Sequence, residues 1–376
     1  MLYKPQNFIL PNRLFPRFLF SDIFIIDNNI GLISIVYPDE NIDFNKIECI
    51  INNQTYYFSK QIINRVYESN VFLCTESQVL SKFINGKSNL KIKIKYYDLE
   101  NEFVLNPIKI KRDQIVFSTL FKDDFYLLNM WIDYNYNLGI DFFILYYNKE
   151  FDTRVLELMN TPKYKDKVLL IEWNYVHKLP EILGKDSRVN ILDKSLQKNH
   201  HHAQPMSMCH CLNYIGSKSK WLGFFDLDEY IIMHNETNIK DVLNKYSTND
   251  IAAIKFQCRW AKLQNWSPNE NPNNGVNILT KYNSFRKIET EGTFFRTKVI
   301  LKPNLVERCN VHRLKRHAPN TKEILLNTDS YYFLHYFNIN CGWGGRDKRD
   351  PFKDKPKIIL DNRLIELVKY NNIKDN

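Results

Sequence analysis

The stretch Trp221-Leu222-Gly223-Phe224-Phe225-Asp226-Leu227-Asp228-Glu229 decides the fold. Its first five residues carry no charged or hydroxyl side chain, which is typical of a strand that is buried on both faces of a parallel sheet. Three acidic residues follow within the next four positions. Ligands of open α/β sheets bind outside the carboxyl ends of the strands, so Asp226, Asp228 and Glu229 stand where a site is expected.

Strands and helices alternate in the sequence before this stretch. Short apolar runs at residues 115–117, 142–146 and 168–171 predict strands, and segments with helical spacing lie between them. A further helix is predicted to begin near Pro205 and to end at Gly216. This order predicts an α/β fold with a mostly parallel sheet and flanking helices.

The N-terminal part has a different pattern. From about residue 22 to residue 107, short apolar runs alternate with polar residues and are separated by turn residues, which predicts an all-β region. We therefore predict a small β-rich domain at residues 1–110. The α/β domain then covers residues 111–376, with an amphipathic C-terminal helix at residues 361–370.

The composition limits the class of protein. In 376 residues, 44% are apolar and 14% aromatic, which excludes a disordered chain. The net charge of +10 is compatible with nucleic acid, an anionic membrane or phosphorylated small molecules as partners. Lys91, Lys93 and Lys95 alternate with apolar residues and are expected on the outer face of a strand. The net charge alone does not decide between these partners. We predict no nucleic-acid partner.

The cysteines and the N-terminus bear on the compartment. Seven cysteines are scattered without a Cys-x-x-Cys pair, which favours a reducing environment. No apolar run is long enough for a signal peptide or a spanning helix. We expect a cytoplasmic protein without a transmembrane segment, with peripheral membrane association or, for a viral chain, the host cytoplasm as variants of that expectation.

The acids after the central strand predict a metal site. Asp226 and Asp228 are one residue apart, so both carboxylates can reach one hard divalent cation, for which Mg²⁺ or Mn²⁺ is suited. Such a cation would bridge the diphosphate of a nucleotide-sugar and neutralise the charge of the leaving group. The alternative is that the acids only cap the strand or pair with Lys or Arg.

Two segments carry a family resemblance. FKDDFYLLNMWIDYNYNLGIDFFILYYN at residues 121–148 and QPMSMCHCLNYIGSKSKWLGFFDLDEYI at residues 204–231 resemble glycosyltransferase family 92 and its bacterial and viral relatives. The similarity spans roughly residues 115–349. It implies a GT-A fold, which is a Rossmann-like domain with an Asp-x-Asp-Glu motif, and an inverting transfer that often uses a UDP-sugar. A glycan, glycolipid or glycoprotein would be the acceptor.

The resemblance also implies site residues. Asp226 and Asp228 would bind the metal and the diphosphate, and Gln204 matches the Gln that opens the preceding helix. Asp123 and Asp124 lie at the nucleotide-contacting position, where the family usually has Asn-Glu. Asn148 would be a further nucleotide contact, although Tyr147 replaces the Asp of its motif. After Tyr336 the chain departs from the family pattern, and here Lys348, with Arg346 and Arg349, is a candidate phosphate clamp by side-chain chemistry alone, as are Arg313 and Lys315.

Two histidines are candidates for completing the metal shell. Val311-His312 and His335-Tyr336 resemble the family's Val-His and His-Tyr, and a neutral imidazole suits a divalent cation. We favour His312 and keep His335 as the alternative ligand.

The base of an inverting transfer is open. We predict that Asp228 and Glu229 are catalytic residues, although Glu229 has the alternative role of bracing the turn. Glu289, Glu291 and Asp347 are alternative bases, and their spacing in the sequence favours none of them.

Two further groups have an open role. His200-His201-His202 is expected in a solvated loop rather than at a zinc site. The indoles of Trp260, Trp266 and Trp343 are either a platform for an acceptor sugar or core residues.

Three functional hypotheses follow. The first is a metal-dependent glycosyltransferase of the hexosyltransferase class, acting on a nucleotide-sugar. The second is a metal-dependent nucleotidyl or phosphoryl transferase, which is weakened because no GxxxxGK loop is present. The third is a catalytically inactive glycan-binding module.

Overall fold

The structure of the chain is a computed structural model. It describes residues 1–10, 17–26, 29–35, 43–59, 69–74, 89–106, 111–175, 203–265, 283–287, 296–310, 312–337, 339, 352, 357–361 and 363–364.

The described residues of the N-terminal part form ten strands, in agreement with the all-β prediction. They are β1 (Leu2–Tyr3), β2 (Phe8–Leu10), β3 (Arg17–Phe20), β4 (Asp22–Ile26), β5 (Asn29–Ile35), β6 (Ile47–Ile51), β7 (Gln54–Ser59), β8 (Ser69–Cys74), β9 (Leu90–Tyr96) and β10 (Leu99–Leu105).

Seven of these strands form an antiparallel sheet in the order β10-β9-β6-β7-β8-β5-β4, and β2 pairs with β3. Along β9, Ile92 and Ile94 are buried while Lys91 is exposed, as the alternation predicted.

The α/β part begins with β11. Its elements are β11 (Ile115–Phe121), α1 (Leu128–Asn137), β12 (Phe142–Tyr147), α2 (Thr153–Asn160), β13 (Val168–Glu172), α3 (Ala203–His210), β14 (Trp221–Phe224), β15 (Glu229–Met233), α4 (Ile239–Lys245), β16 (Ile251–Leu263), β17 (Ser284–Lys287), β18 (Thr297–Leu301), β19 (Val306–Cys309), β20 (Leu314–His317), β21 (Lys322–Leu325), β22 (Tyr331–Tyr336) and β23 (Ile358–Leu360). Short 3₁₀ turns cover Phe44–Lys46, Phe125–Leu127 and Pro303–Leu305, and a π-helical turn at Cys211–Ile215 continues α3.

Local chemistry explains where these helices begin and end. The Asp152 carboxylate accepts a hydrogen bond from the Val155 N–H at 3.1 Å and so caps α2. Gly139, with φ of +107°, lies just after α1, in the left-handed region that a residue with a Cβ avoids. The predicted helix before the central strand is α3 with its π-helical turn, and it ends at Gly216 as expected.

Twelve strands of the described residues form one mixed sheet. Its main order is β1-β13-β12-β11-β14-β18-β16-β17-β23, and the half from β1 to β14 is parallel. The chain moves from β11 to β12 and β13 on one side, and then returns to place β14 on the other side of β11. The carboxyl ends of β11 and β14 therefore flank a topological switch point, where open sheets bind ligands.

The N-terminal strands and the α/β part are in close contact. β1 pairs in parallel with β13, and Phe24 and Ile33 share a buried apolar cluster with Val116 and Leu222. The proposed boundary at residue 110 stays a prediction. Of the predicted C-terminal helix, only residues 361 and 363–364 lie within the described residues.

A largely buried polar network joins the same two parts. The His210 Nε2 lies 2.8 Å from Oδ2 of Asp22, and both side chains have zero exposure. With Asp22 accepting from Nε2, Nδ1 accepts from the Tyr146 hydroxyl at 2.8 Å. The Tyr3 hydroxyl also donates to Asp22, at 2.6 Å. These hydrogen bonds connect α3 with β1 and β4. They stabilise the fold because burying the Asp22 carboxylate without partners would cost free energy.

Two expectations about the environment can be compared with the structure. Across the described ranges, no helix is both long and apolar enough to cross a bilayer. The five cysteines whose side chains are described, at positions 49, 209, 211, 258 and 309, are buried free thiols.

Candidate active site

A tight turn after β14 presents the acidic residues. The Glu229 N–H donates to the Asp226 carbonyl at 3.0 Å, and the Asp226 N–H donates to Oε2 of Glu229 at 2.9 Å. The Glu229 carboxylate therefore braces the turn in which it lies. Asp226 remains about one-third exposed, whereas Asp228 and Glu229 are buried.

A lysine from a later strand enters this turn. β18 runs antiparallel to β14, with Gly223 opposite Ile300, so the first residues of β18 lie beside the end of β14. Lys298 in β18 is 1% exposed. Its Nζ lies 2.8 Å from Oε2 of Glu229 and 3.0 Å from Oδ2 of Asp226.

A histidine approaches from the other side. β15 pairs antiparallel with β22 so that Glu229 is opposite His335, and the Tyr336 N–H donates to the Asp228 carbonyl at 2.9 Å. The imidazole then lies between two acids, with Nε2 3.5 Å from Oδ2 of Asp228 and Nδ1 3.5 Å from Oε1 of Glu229. We refer to Asp226, Asp228, Glu229, Lys298 and His335 as the ionic cluster.

Burial and charge shift the pKa values in the ionic cluster. Burial raises the pKa of Glu229 to about 7, against the opposing effect of Lys298. Burial disfavours the charged form of Lys298, but Asp226 and Glu229 outweigh it and raise the pKa of the ammonium. Burial likewise opposes the imidazolium of His335, and the carboxylate of Asp228 overcomes it, so the pKa of His335 is raised. The acids therefore stabilise the protonated forms of Lys298 and His335.

Gln204 lies at the start of α3 beside the ionic cluster, and its role in nucleotide-sugar binding stays a prediction. Its Nε2 donates to Oδ1 of Asp226 at 3.4 Å. A small cavity next to this contact is lined by Ser118, Thr119, Gln204, Ser207, Asp226 and Lys298, among others. The Thr119 hydroxyl is buried and has no hydrogen-bond partner in the described part of the chain.

His312, the favoured metal ligand, lies near the ionic cluster; part of the residue faces solvent, but its imidazole is partly desolvated beside Lys298. Its carbonyl accepts from the Thr297 hydroxyl at 2.8 Å, and its N–H donates to Asn310 at 3.0 Å. Its pKa is lowered to about 4, first by desolvation and then by the positive charge of Lys298. His312 is therefore neutral at neutral pH. The side chain that the structure places against Asp228 is His335, the alternative ligand.

The predicted nucleotide contacts surround the carboxyl ends of β11 and β12. Asp123 forms an exposed ion pair with Lys149, and Asp124 precedes the 3₁₀ turn, where its carbonyl accepts from Leu127 N–H at 3.0 Å. The buried Asn148 donates to the carbonyls of Trp173 and Tyr175 at 2.7 and 2.6 Å, which fixes the segment after β13. The nucleotide-binding roles of Asp123, Asp124 and Asn148 stay predictions.

Several predicted residues lie outside the described residues. They are Lys348, Arg346, Arg349, His200, His201, His202, Glu289, Glu291, Asp347, Trp266 and Trp343.

Of the three tryptophans, Trp260 is described and adjoins the ionic cluster. Its ring stacks on His335 with centroids 4.6 Å apart and an interplanar angle of 28°, and the Arg296 guanidinium lies 5.0 Å from its centroid.

Lys298 is the residue of this site to which the sequence analysis gave no role. The signal was a lysine within Thr297-Lys298-Val299-Ile300-Leu301, an otherwise largely apolar strand. Because a buried ammonium needs a carboxylate partner, such a lysine points to an acid on a neighbouring strand.

The donor chemistry of the ionic cluster fits a divalent cation, since carboxylate oxygens with an imidazole suit Mg²⁺ or Mn²⁺. The side chains of the ionic cluster are not arranged as the ligands of a bound metal ion are. Among the described residues, no three His, Cys, Asp or Glu side chains are grouped so that they could hold an ion. Instead, the Lys298 ammonium bridges Asp226 and Glu229.

The family follows from a comparison of the sequence with family models. The model of glycosyltransferase family 92 matches residues 116–372, which is more than half of the chain. The chain belongs to glycosyltransferase family 92. This membership supports a glycosyltransferase and agrees with the resemblance seen in the sequence. No curated protein matches the chain significantly.

Solved structures show only slight similarity. The mannosyltransferase Ktr4p from S. cerevisiae is 14% identical over 42% of this chain and 41% of its own, with a TM-score of 0.25. Its complex with GDP gives 17% identity, 42% of each chain and a TM-score of 0.24. HddC from Yersinia pseudotuberculosis is 10% identical over 59% of this chain and 93% of its own, with a TM-score of 0.30. The chain thus spans about two-fifths of the Ktr4p length.

Proposed function

We propose that this family 92 protein transfers a hexosyl group from a nucleotide-sugar to a hydroxyl of a glycan, glycolipid or glycoprotein, with inversion and on a GT-A fold. The observation that carries the proposal is the ionic cluster beside the switch point between β11 and β14. An anionic diphosphate bound there would meet Lys298, the Gln204 amide and any cation held by the acids.

The residues divide the work of the transfer. The bond between the anomeric carbon and the diphosphate breaks, its electrons go to the phosphate oxygen, and the acceptor oxygen bonds to the anomeric carbon as its proton leaves for a base. Charge grows on the leaving group, so fixed positive groups beside it lower the barrier. Lys298 is held at the site for this role, and Glu229, by accepting from the Asp226 N–H, keeps Asp226 oriented.

Asp226 and Asp228 are the proposed holders of Mn²⁺ or Mg²⁺, with His335 or His312 as a further ligand. The cation, when bound, would neutralise the diphosphate. His312 is suited because its lowered pKa keeps the imidazole neutral.

The acceptor base is unassigned. Asp228 and Glu229 are the proposed catalytic acids of the ionic cluster, but the contacts of Glu229 with Lys298 and the Asp226 N–H are those of a residue that braces the turn.

A panel of nucleotide-sugars tests the proposal. UDP- and GDP-hexoses are incubated with the protein and Mn²⁺, and the released nucleoside diphosphate is measured. A UDP-hexose is the expected donor, and its slow hydrolysis should vanish in Asp228→Ala. Pyrophosphate release from nucleoside triphosphates would instead indicate a nucleotidyl transferase. Sugar or glycan binding that persists with a chelator, without any turnover, would indicate an inactive binding module.

A further inference from the structure

Lys298 occupies the position at which a cation would be expected. Its Nζ is within 3.0 Å of carboxylate oxygens of both Asp226 and Glu229, whereas Oδ2 of Asp228 lies 3.5 Å from Nε2 of His335. Lysines are almost never fully buried unless they are paired, and Lys298 is 1% exposed. The ammonium therefore already acts as the counter-ion of the acidic turn.

The two partners of Lys298 differ in how firmly they are held. Glu229 is buried, and Oε2 also accepts from the Asp226 N–H at 2.9 Å. Asp226 is about one-third exposed, and from the residues that the structure describes its other oxygen accepts only a long hydrogen bond of 3.4 Å from Gln204. The contact of Lys298 with Asp226 is thus the one that an incoming ligand can reach and replace.

There is unfilled space and an unused polar group beside this contact. The small cavity between α3 and the sheet is lined by Asp226, Lys298 and Thr119. The buried hydroxyl of Thr119 has no hydrogen-bond partner among the described residues. A polar group left unpaired in this way calls for a partner such as a water molecule or an ion, which the small cavity can admit.

We propose that Lys298 and a divalent cation are alternative counter-ions of Asp226. In the resting protein the ammonium holds Asp226. A divalent cation that bound together with a nucleoside diphosphate would replace the ammonium at Asp226, and the ammonium, still paired with Glu229, would be available to pair with the anionic diphosphate. Lys298 is in this way a positioning residue that disfavours cation binding without nucleotide. The proposal rests on the proposed function, because it assumes a nucleoside diphosphate at this site.

The charge balance gives two effects of opposite sign. Removing the ammonium leaves the acids uncompensated, so a divalent cation should bind the nucleotide-free protein more tightly. The same change removes a positive charge from the phosphate position, so a nucleoside diphosphate should bind more weakly when no metal is present. A residue with a merely structural role would weaken both or change neither.

The test uses Lys298→Met, with Lys298→Gln as a second variant that can still donate hydrogen bonds to both carboxylates. Mn²⁺ binding to nucleotide-free protein is measured by electron paramagnetic resonance, and UDP binding in excess chelator by calorimetry. We expect Mn²⁺ affinity to rise at least about tenfold and UDP affinity to fall at least about tenfold. Lys298→Arg keeps the charge and should remain near the wild-type Mn²⁺ affinity.

Lys240→Met is the control, because Lys240 also pairs with an aspartate, Asp141. This pair lies at the amino end of β11, whereas the ionic cluster lies at the carboxyl ends of the strands. The substitution should change neither affinity. Unchanged or weaker Mn²⁺ binding in folded Lys298→Met or Lys298→Gln would overturn the inference even if the wild-type protein transfers sugar. The expected pair of shifts, tighter Mn²⁺ binding and weaker UDP binding, in a protein without transferase activity would support the inference and count against the proposed function. Wild-type and Lys298 variants that bind neither Mn²⁺ nor UDP would overturn both.

Discussion

The His210 imidazole lies 2.8 Å from the Asp22 carboxylate, and both are fully buried although 188 positions separate them in the chain. Asp22 belongs to β4 and His210 to α3, the helix that begins beside Gln204. The N-terminal strands are therefore part of the support of the candidate active site.

Asp22→Ala is expected to lower the free energy of unfolding by about 3–5 kcal/mol, because it leaves His210 and the Tyr3 hydroxyl without their buried acceptor. Urea unfolding followed by circular dichroism measures the change. Glu100→Ala removes an exposed ion pair with Lys93 and should cost about 1 kcal/mol or less. Equal effects of the two substitutions would contradict the structural importance of the buried network.

Asp226→Asn and Asp228→Asn are expected to leave the fold intact and to reduce transfer by about 10²–10³-fold each, by analogy with the loss of a single group that stabilises transition-state charge. The amides keep the size of the carboxyl groups but lose their charge. Nucleotide release from the best donor of the panel is the measurement, with circular dichroism as the check on folding. Full activity in both variants would defeat the assignment of the site.

The stability that His335 contributes should depend on pH. Its folded-state pKa is raised above 6.5 by Asp228, so the folded protein binds the proton more tightly than the unfolded chain. The advantage of the wild-type protein over His335→Gln should be greatest below about pH 6.5 and should disappear as pH rises through the raised value. Urea unfolding of both proteins between about pH 6 and pH 9 tests the sign. An advantage that grows with pH would show that His335 is not paired as described.

Gly223→Ala tests the packing behind the acidic turn. A Cβ at Gly223 would lie 2.7 Å from the Phe117 ring and 3.1 Å from the Phe225 ring. We expect a loss of about 1–3 kcal/mol in unfolding free energy, together with weaker donor turnover, because Phe225 directly precedes Asp226. Leu222→Met, a change of similar volume in the same strand, should cost less than about 1.5 kcal/mol. A Gly223→Ala protein as stable and active as Leu222→Met would contradict the tight fit.

Local signals explain which parts of the fold were predictable. The run before Asp226 is a buried strand and Gly216 stands at the end of its helix, both as expected, while Asp152 caps α2 and Gly139 follows α1. Each depends on residues a few positions apart, whose preferences act within one turn or one strand.

The rest of the site depends on pairings between distant strands. Lys298 reaches the acids because β18 is antiparallel to β14, and His335 does so because β22 pairs with β15. Neither register is encoded near those residues. For this reason local sequence patterns did not indicate the contacts of Lys298 and His335 with the acids, and the choice of His312 over His335 as a metal ligand stays a prediction.

The antiparallel entry of β18 also bears on how the protein folds. Asp226 and Glu229 are neighbours from the moment they are synthesised, but their ammonium partner comes about 70 positions later and is delivered only when β18 docks. Until then the turn carries mutually repelling charges, and closing that long loop is slow. The acidic turn should therefore become ordered late, and the sheet's central strand should gain its final protection against hydrogen exchange only after β18 is in place.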